Sequence, residues 1–152
     1  FIVGTIFVFI SRPFGGRIFD SKGGFWVILP GGILYLIGLG ILVSAQSLTV
    51  LLVASVFYGF GGGLLLPSLM TWMLNVVTPD RRSGASATFY NMLDIGTSSG
   101  IILLGSVAGS IGYVNMYYYV IGVMVIFIAF FMFNHFVLQK KVKKQNEQEE
   151  LA

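Results

Sequence analysis

The chain has 152 residues, of which 56% are hydrophobic and only 10% are charged, whereas a soluble domain carries about 25% charged residues. Its 20 glycines and 15% aromatic residues fit membrane-spanning helices, so the composition indicates an integral membrane protein. The absence of cysteine excludes disulfides and thiol chemistry, and the net charge of +3 comes from three short basic clusters, which indicates membrane topology and not a nucleic-acid partner.

The charged residues divide the chain into predicted spans. One basic cluster lies within residues 12–22, the second within 80–82, and the third in the tail after Gln139. Residues 23–79 carry no formal charge, and residues 83–139 carry only one, an aspartate. Each interval is too long for one span of ~20 residues and has to return to the same side, so each is predicted to be a hairpin of two helices.

These intervals predict an all-α, polytopic helix bundle. The first apolar run, "FIVGTIFVFI", is short for a span, and we expect it to be the end of a longer helix in the C-terminal piece of a longer protein. The stretches "SAQS" and "GSIGYVN" break the two hairpins, and the positive-inside rule predicts that all nine Lys and Arg residues are cytoplasmic. The predicted spans are 1–11 (truncated), 25–43, 48–77, 84–108 and 114–137, followed by a cytoplasmic polar tail over 138–152 that is frayed or extends the last helix.

The first connection, "SRPFGGRIFDSKGG" over residues 11–24, is predicted to be a cytoplasmic loop. Its glycines allow a tight connection between two helices. Asp20, together with Arg17 and Lys22, is expected to form a compact charged group at the membrane surface.

The third predicted span contains "YGFGGGLLLP" over residues 58–67, in which four glycines precede Pro67. Close helix packing is the simpler interpretation of Gly61 and Gly63, because small residues let helix backbones approach. The alternative is a flexible segment that bends during a conformational cycle, with Pro67 as the kink. Tyr58 adds a polar aromatic group to this span.

The fourth predicted span holds Asp94, the one formally charged residue between Arg82 and Lys140. At ~1.5 Å per residue it lies ~15 Å into the span, in the middle of a ~30 Å hydrocarbon core, where a charge costs at least ~2.5 kcal/mol. Burial disfavours the charged form of a carboxyl group, so a role in proton exchange or substrate contact is expected. The alternative is structural, with Asp94 capping a broken helix or bonding polar groups of a neighbouring helix. The polar side chains that can share its helix face are Tyr90, Asn91, Thr97 and Ser98.

Gly96 and Gly100 on the same span have the GxxxG spacing that favours close helix packing. The chain offers no paired acids, histidine cluster or serine–histidine pair at membrane depth. We therefore expect no metal site, no cofactor and no enzymatic activity.

The first connection resembles a cytoplasmic loop motif of the major facilitator superfamily, G-x-L-a-D-r-x-G-r-k, which has a weaker copy between helices eight and nine. Ser21, Gly24 and Phe25 stand where the motif has basic residues, as in the weaker copy. The stretches "SRPFGGRIFD" and "PDRRSGASATFYNMLDIGTSSG" look like bacterial members of the drug and sugar efflux type. The matching residues are Gly16, Ile18 in the Leu place, Phe19, Asp20 and Gly23.

This resemblance implies the C-terminal five helices, eight to twelve, of a twelve-helix transporter that works by alternating access, with its N-terminal half missing. Asp94 is then a candidate for proton coupling or substrate binding, with Asn91, Tyr90, Tyr58 and Ser98. Asp20 is a candidate gate contact with a helix of the missing half. The cytoplasmic gate motif comprises Gly16, Arg17, Asp20, Gly23, Arg81 and Arg82.

The function expected from the residues and the resemblance is proton-coupled efflux of small organic molecules or drugs by antiport in the cell membrane. The expected partners are substrate, protons, membrane lipid and the missing N-terminal half, and no nucleic acid. The alternative within transport is metabolite uptake by symport or facilitated diffusion, because the same fold does both. No residue of this chain distinguishes uptake from export. A non-transporting scaffold or sensor subunit is the alternative from another class, and the cost of a mid-membrane acid argues against it.

Overall fold

The computed structural model describes the backbone of residues 2–149 and the side chains of residues 2–137. Over this range it contains helices and no strand. All five α-helices are long and apolar enough to cross a membrane, which confirms the predicted all-α polytopic fold. The elements are α1 (Ile2–Lys22), α2 (Phe25–Val43), α3 (Leu48–Val76), a 3₁₀ helix (Pro79–Arg81), α4 (Arg82–Ile111) and α5 (Tyr113–Glu149).

α1 is longer than the sequence predicts, because the stretch predicted as a loop is helical as far as Lys22. The reason is packing against α3. Ser11, Gly15 and Phe19 are spaced four residues apart, and together they form one buried face of the helix. The Ser11 hydroxyl donates a hydrogen bond to the carbonyl of Val8 at 2.9 Å, so its burial leaves no donor unsatisfied.

Two glycines in a left-handed conformation make the tightest connections. Gly23 has φ +87°, and its N–H donates to the carbonyl of Phe19 at 2.8 Å, which ends α1. Gly112 also has φ +87°, and its N–H donates to the carbonyl of Ala108 at 3.0 Å, which ends α4. The connection between α4 and α5, which the sequence predicts over residues 109–115, is therefore a single residue, Gly112.

α3 is the central helix and packs along α1 and α2 through glycines. Gly59 of α3 lies against Gly4 of α1, and Gly63 lies against Val8. Both contacts move four residues toward the C-terminus on each helix, so α1 and α3 run parallel. Toward α2, a Cβ on Gly61 would lie 2.5 Å from the backbone nitrogen of Tyr35, so only glycine fits there without a shift. Backbone-to-backbone contact of this kind is how small residues hold membrane helices together.

α4 differs from the other helices because none of its residues is buried. It contacts α5 and, to a smaller extent, α3. α5 packs on α2 and α3 through Phe131, which lies in a cluster with Ile28 and Leu65. The α5 backbone continues through the predicted tail as far as Glu149, and residues 150–152 lie outside the described residues.

Candidate functional site

Asp94 lies on the open surface of α4. Its side chain is exposed, as are those of Asn91, Thr97 and Ser98 on the same helix face. The Thr97 hydroxyl donates its hydrogen bond to the carbonyl of Leu93 in its own helix, at 2.7 Å. Among residues 2–137, no side chain forms an ion pair or hydrogen bond with the Asp94 carboxylate. Within these five helices the carboxylate is therefore open, which differs from the burial that its position in the span predicts.

Tyr90 connects the polar face of α4 to α3. Its hydroxyl donates to the sulfur of Met70 at 3.5 Å, and half of the residue remains exposed. Asp94 follows one turn later, ~18 Å from the start of α4 at Arg82 and ~26 Å from its end at Ile111. The carboxylate is far from both ends of the helix, so the water and head groups at the membrane surface do not solvate it directly.

Tyr58 lies elsewhere, in a cavity of about 690 Å³ that all five helices line. Its ring packs on that of Tyr35 from α2, with centroids 4.4 Å apart. The lining residue from α4 is Leu104, and Asp94 does not reach this cavity. The structure therefore separates Tyr58 from the polar face of α4. Sequence reasoning missed Tyr35, although it is the only hydroxyl-bearing residue of an otherwise apolar helix.

The residues of the predicted gate motif lie at one end of the bundle, which also carries the basic clusters. Gly16, Arg17 and Asp20 lie on the last turns of α1, all three exposed. Arg81 and Arg82 are exposed where the 3₁₀ helix meets α4. No ion pair joins Asp20 to any cation among the side chains of residues 2–137.

A second, smaller cavity of about 130 Å³ lies between α1 and α3 at this end, and we refer to it as the α1–α3 cavity. Arg12 and Asp20 both line it, with Gly16 between them on α1 and with Ser68 and Thr71 on α3. Arg17 does not line it, although the sequence groups Arg17 with Asp20. The helical spacing of 12, 16 and 20 explains this, because residues four apart share a helix face.

The predicted packing glycines fall into two groups. Gly61 and Gly63 are buried at contacts of α3 with α2 and α1. Gly96 and Gly100, in contrast, have no atom within 4 Å of the position a Cβ would take, apart from their own helix. Pro67 lies inside α3, which continues through it to Val76. Within the described side chains, the GxxxG spacing on α4 thus has no helix packed against it.

The chemistry available on α4 is that of one carboxyl group, Asp94, with polar side chains on the same face of a membrane helix. An open carboxylate at this depth can take up a proton or hold a cationic group, and the polar residues beside it offer hydrogen bonds. Within the described part of the chain, no three His, Cys, Asp or Glu side chains group together to hold a metal ion.

A sequence model of the family described as "Major Facilitator Superfamily" matches residues 1–152. No solved structure gives a significant match to the chain.

The chain is similar to several curated transport proteins. One is the "Proton-coupled antiporter flippase LtaA" of Staphylococcus saprophyticus subsp. saprophyticus, 28% identical over 90% of this chain and 35% of that protein. Another is "Multidrug resistance protein 3" of Bacillus subtilis, 28% identical over 73% of this chain and 22% of that protein. The third is the "Probable nitrate transporter NarT" of Staphylococcus carnosus, 29% identical over 85% of this chain and 32% of that protein. The chain spans at most about a third of the length of these relatives.

Proposed function

The chain belongs to the Major Facilitator Superfamily, a family of multi-pass membrane transporters and not of enzymes, and we propose that it acts in proton-coupled export of small organic molecules. The mechanism is antiport by alternating access, in which protons entering the cell drive the substrate out. The transport unit includes a further part of the same transporter, because the relatives are about three times as long as this chain.

Asp94 is the observation that carries this proposal. It is the one formal charge between Arg82 and Lys140, and it lies far from both ends of α4. A bare carboxylate facing lipid there costs at least ~2.5 kcal/mol, so its open face has to meet water or protein. We place it on a water-lined cavity formed with the rest of the transporter, where it exchanges protons or holds the substrate, helped by Tyr90, Asn91 and Ser98.

The relatives support the two parts of the proposal separately. The first relative is named as a proton-coupled antiporter, and the second is named as a multidrug resistance protein. An identity of 28% does not carry a substrate over to this chain. The substrate class therefore rests on the open polar face of α4 and has to be tested directly.

The gate residues complete the proposed cycle. Asp20 contacts the N-terminal end of a helix in the rest of the transporter, where the helix dipole favours a carboxylate, and closes the cytoplasmic side in the outward-open state. Arg81 and Arg82 join this contact at the same end of the bundle. The basic clusters and the C-terminus are cytoplasmic by the positive-inside rule.

Uptake is the second candidate, because one relative is named a probable nitrate transporter. A symporter would move substrate in the same direction as protons, and a facilitator would need no gradient. The non-transporting scaffold is disfavoured by the family membership and by the cost of Asp94.

The test uses the full-length protein in proteoliposomes with an imposed pH gradient and a panel of fluorescent organic cations, neutral dyes and nitrate. We expect transport of an organic compound against the direction of proton flow. Asp94→Asn, which keeps the size of the side chain, is expected to lower gradient-driven transport at least about tenfold, since one lost charged contact is worth ~1.4 kcal/mol or more.

Asp80→Asn is the matched control, because it removes an exposed carboxylate from the 3₁₀ helix outside the spans. Both variants are compared with the native protein for expression and melting temperature. Gradient-driven transport that survives in a folded Asp94→Asn protein would remove Asp94 from the mechanism. Transport of substrate together with protons would establish symport and overturn antiport.

A further inference from the structure

The cavity of about 690 Å³ that all five helices line is separate from the polar face of α4, and we refer to it as the tyrosine cavity. Its lining residues come from the first parts of α1, α3 and α5 and from the last parts of α2 and α4. The cavity therefore lies toward the end of the bundle opposite to the basic clusters. Leu104 is its lining residue on α4, ~15 Å along the helix from Asp94.

Small residues leave the space that forms the tyrosine cavity. Gly59 of α3 lies against the backbone of Gly4 on α1, so these two helices approach each other closely at the cavity wall. Small side chains fill little of the volume between helices, and a cavity remains where they meet. The small lining residues are Gly4, Gly38, Ala54, Ser55 and Gly59.

The size and lining of the tyrosine cavity suit a small organic molecule. Pockets for drug-sized ligands have volumes of ~300 to 1,000 Å³ and are lined mainly by apolar and aromatic side chains. The tyrosine cavity has about 690 Å³, and Val8, Leu39 and Leu42 are among its apolar lining residues. Leu51 and Tyr58 also line it and are each 42% exposed, so the cavity opens beside α3 and a ligand can enter there.

No charged side chain lines the tyrosine cavity within residues 2–137, and no histidine does so either. An ion that enters an apolar cavity loses its hydration, and without an opposite charge the cavity cannot offset that cost. The polar groups at hand are hydroxyls, and the Ser55 hydroxyl already donates to the carbonyl of Leu51 at 2.8 Å. The chemistry of the lining thus favours an uncharged ligand with few hydrogen-bonding groups.

Three tyrosines from three helices line the same cavity, namely Tyr35 of α2, Tyr58 of α3 and Tyr117 of α5. The rings of Tyr35 and Tyr58 are already in contact, with centroids 4.4 Å apart and planes tilted by 35°. Aromatic rings favour further aromatic rings in offset or edge-to-face geometry. Because Tyr58 stays partly exposed in this contact, its ring is open to an aromatic group in the cavity.

We propose that the tyrosine cavity binds an uncharged aromatic molecule of drug size, with its rings against Tyr58 and Tyr117. The tyrosine hydroxyls can donate a hydrogen bond to a single polar atom of the ligand. Apolar side chains of α2 and α3 enclose the remainder of the molecule. Since the cavity lies away from Asp94, binding there requires neither a charged ligand nor a proton gradient.

The test is equilibrium binding of the uncharged fluorescent probe N-phenyl-1-naphthylamine to the full-length protein in lipid nanodiscs. Empty nanodiscs measure how much of the probe partitions into lipid. We expect saturable binding that depends on the protein. The probe 8-anilinonaphthalene-1-sulfonate has the same rings and an added sulfonate, and we expect it to bind at least about tenfold more weakly, because no cation lines the cavity. The cation tetraphenylphosphonium should not displace the uncharged probe.

Two pairs of variants locate the bound probe. Leu104→Trp places a larger side chain in the cavity and should weaken binding at least about fivefold. Leu103→Trp is its matched control, because Leu103 is 66% exposed and does not line the cavity. Tyr58→Ala removes a ring and should weaken binding about three- to tenfold, whereas Tyr58→Phe keeps the ring and should stay within about twofold of the native affinity.

Three results would overturn the proposal. Probe uptake no greater than that of empty nanodiscs would mean that the cavity takes no such ligand in the whole transporter. Equal affinity for the sulfonate would mean that the site does not select an uncharged molecule. Native affinity in Leu104→Trp, with an unchanged melting temperature, would place the probe elsewhere. None of these measurements uses a pH gradient, so the proposal can fail while the proposed export function holds, and the reverse.

Discussion

Gly38 and Gly40 lie two residues apart on α2 and have different surroundings. A Cβ on Gly38 would lie 2.5 Å from the backbone nitrogen of Tyr58, whereas at Gly40 nothing lies within 4 Å. We expect Gly38→Ala to lower the free energy of unfolding by about 1–3 kcal/mol, because α3 cannot move away without losing its packing. Gly40→Ala should be neutral or stabilise by up to about 1 kcal/mol, since alanine favours the helix. Thermal unfolding of the full-length protein in detergent measures both, and equal effects would contradict the close α2–α3 contact.

Single residues differ in how well their place in the site can be predicted from the sequence. Asp94 stands out because it is a lone charge in a long uncharged interval. Arg12 belongs to the stretch predicted to be a loop, and the helix that carries both Arg12 and Asp20 places them in one cavity. The ring contact of Tyr35 with Tyr58 depends on how α2 crosses α3. Charge patterns are thus readable from the chain, whereas partners from different helices require the packing.

At the scale of the element, α1 shows why the predicted first loop is a helix. Charges and glycines suggested a connection after the tenth residue, but the buried spacing of Ser11, Gly15 and Phe19 continues the helical face for two more turns. That spacing is present in the sequence, but Ser11 and Gly15 are small and not apolar, so hydrophobic periodicity does not reveal the helix. The charged residues alone therefore do not locate the end of this helix.

α3 offers a test of the predicted hinge. Its glycines pack against α1 and α2, which favours a rigid helix, but Pro67 still removes one backbone hydrogen bond from its interior. If bending at Pro67 is part of the transport cycle, Pro67→Ala should slow transport several-fold without lowering the melting temperature. Pro30→Ala, at another exposed helix-interior proline, is the matched control and should keep the native rate. An unchanged rate in Pro67→Ala would assign the proline to structure alone.

At the scale of the whole molecule, the contrast between α3 and α4 defines the open side of the bundle. α3 buries seven residues, among them three glycines, and α4 buries none. Both helices carry glycines in their sequence, so the sequence predicts the presence of close-packing positions and not which of them are used. The polar face of Asp94 and the unpacked pair Gly96 and Gly100 lie together on α4. A helix with this combination requires a protein partner or water on its open face, and the longer relatives have additional chain to provide one.

The orientation of the bundle in the membrane is the last property that the charge pattern predicts. Ser21 lies at the basic end of the bundle, and Gln46 lies in the connection between α2 and α3 at the other end, both exposed. Residues 1–152 contain no cysteine, so single-cysteine variants at these two positions can be labelled selectively in an otherwise cysteine-free full-length protein. A membrane-impermeant maleimide should label Gln46→Cys in intact cells, and it should label Ser21→Cys only after the membrane is permeabilised.

The physical reason is that moving the basic clusters across the membrane is unfavourable, whereas the connection at Gln46 carries no charge. The reverse pattern of labelling would invert the topology, and Asp20 would then close the outer side of the transporter and not the cytoplasmic side. Labelling of both positions in intact cells would mean that α2 does not separate them across the bilayer, contrary to its length of 19 apolar-rich residues. Because the gate at Asp20 and the direction of proton entry at Asp94 both depend on this orientation, the labelling pattern decides whether the proposed antiport cycle moves substrate outward.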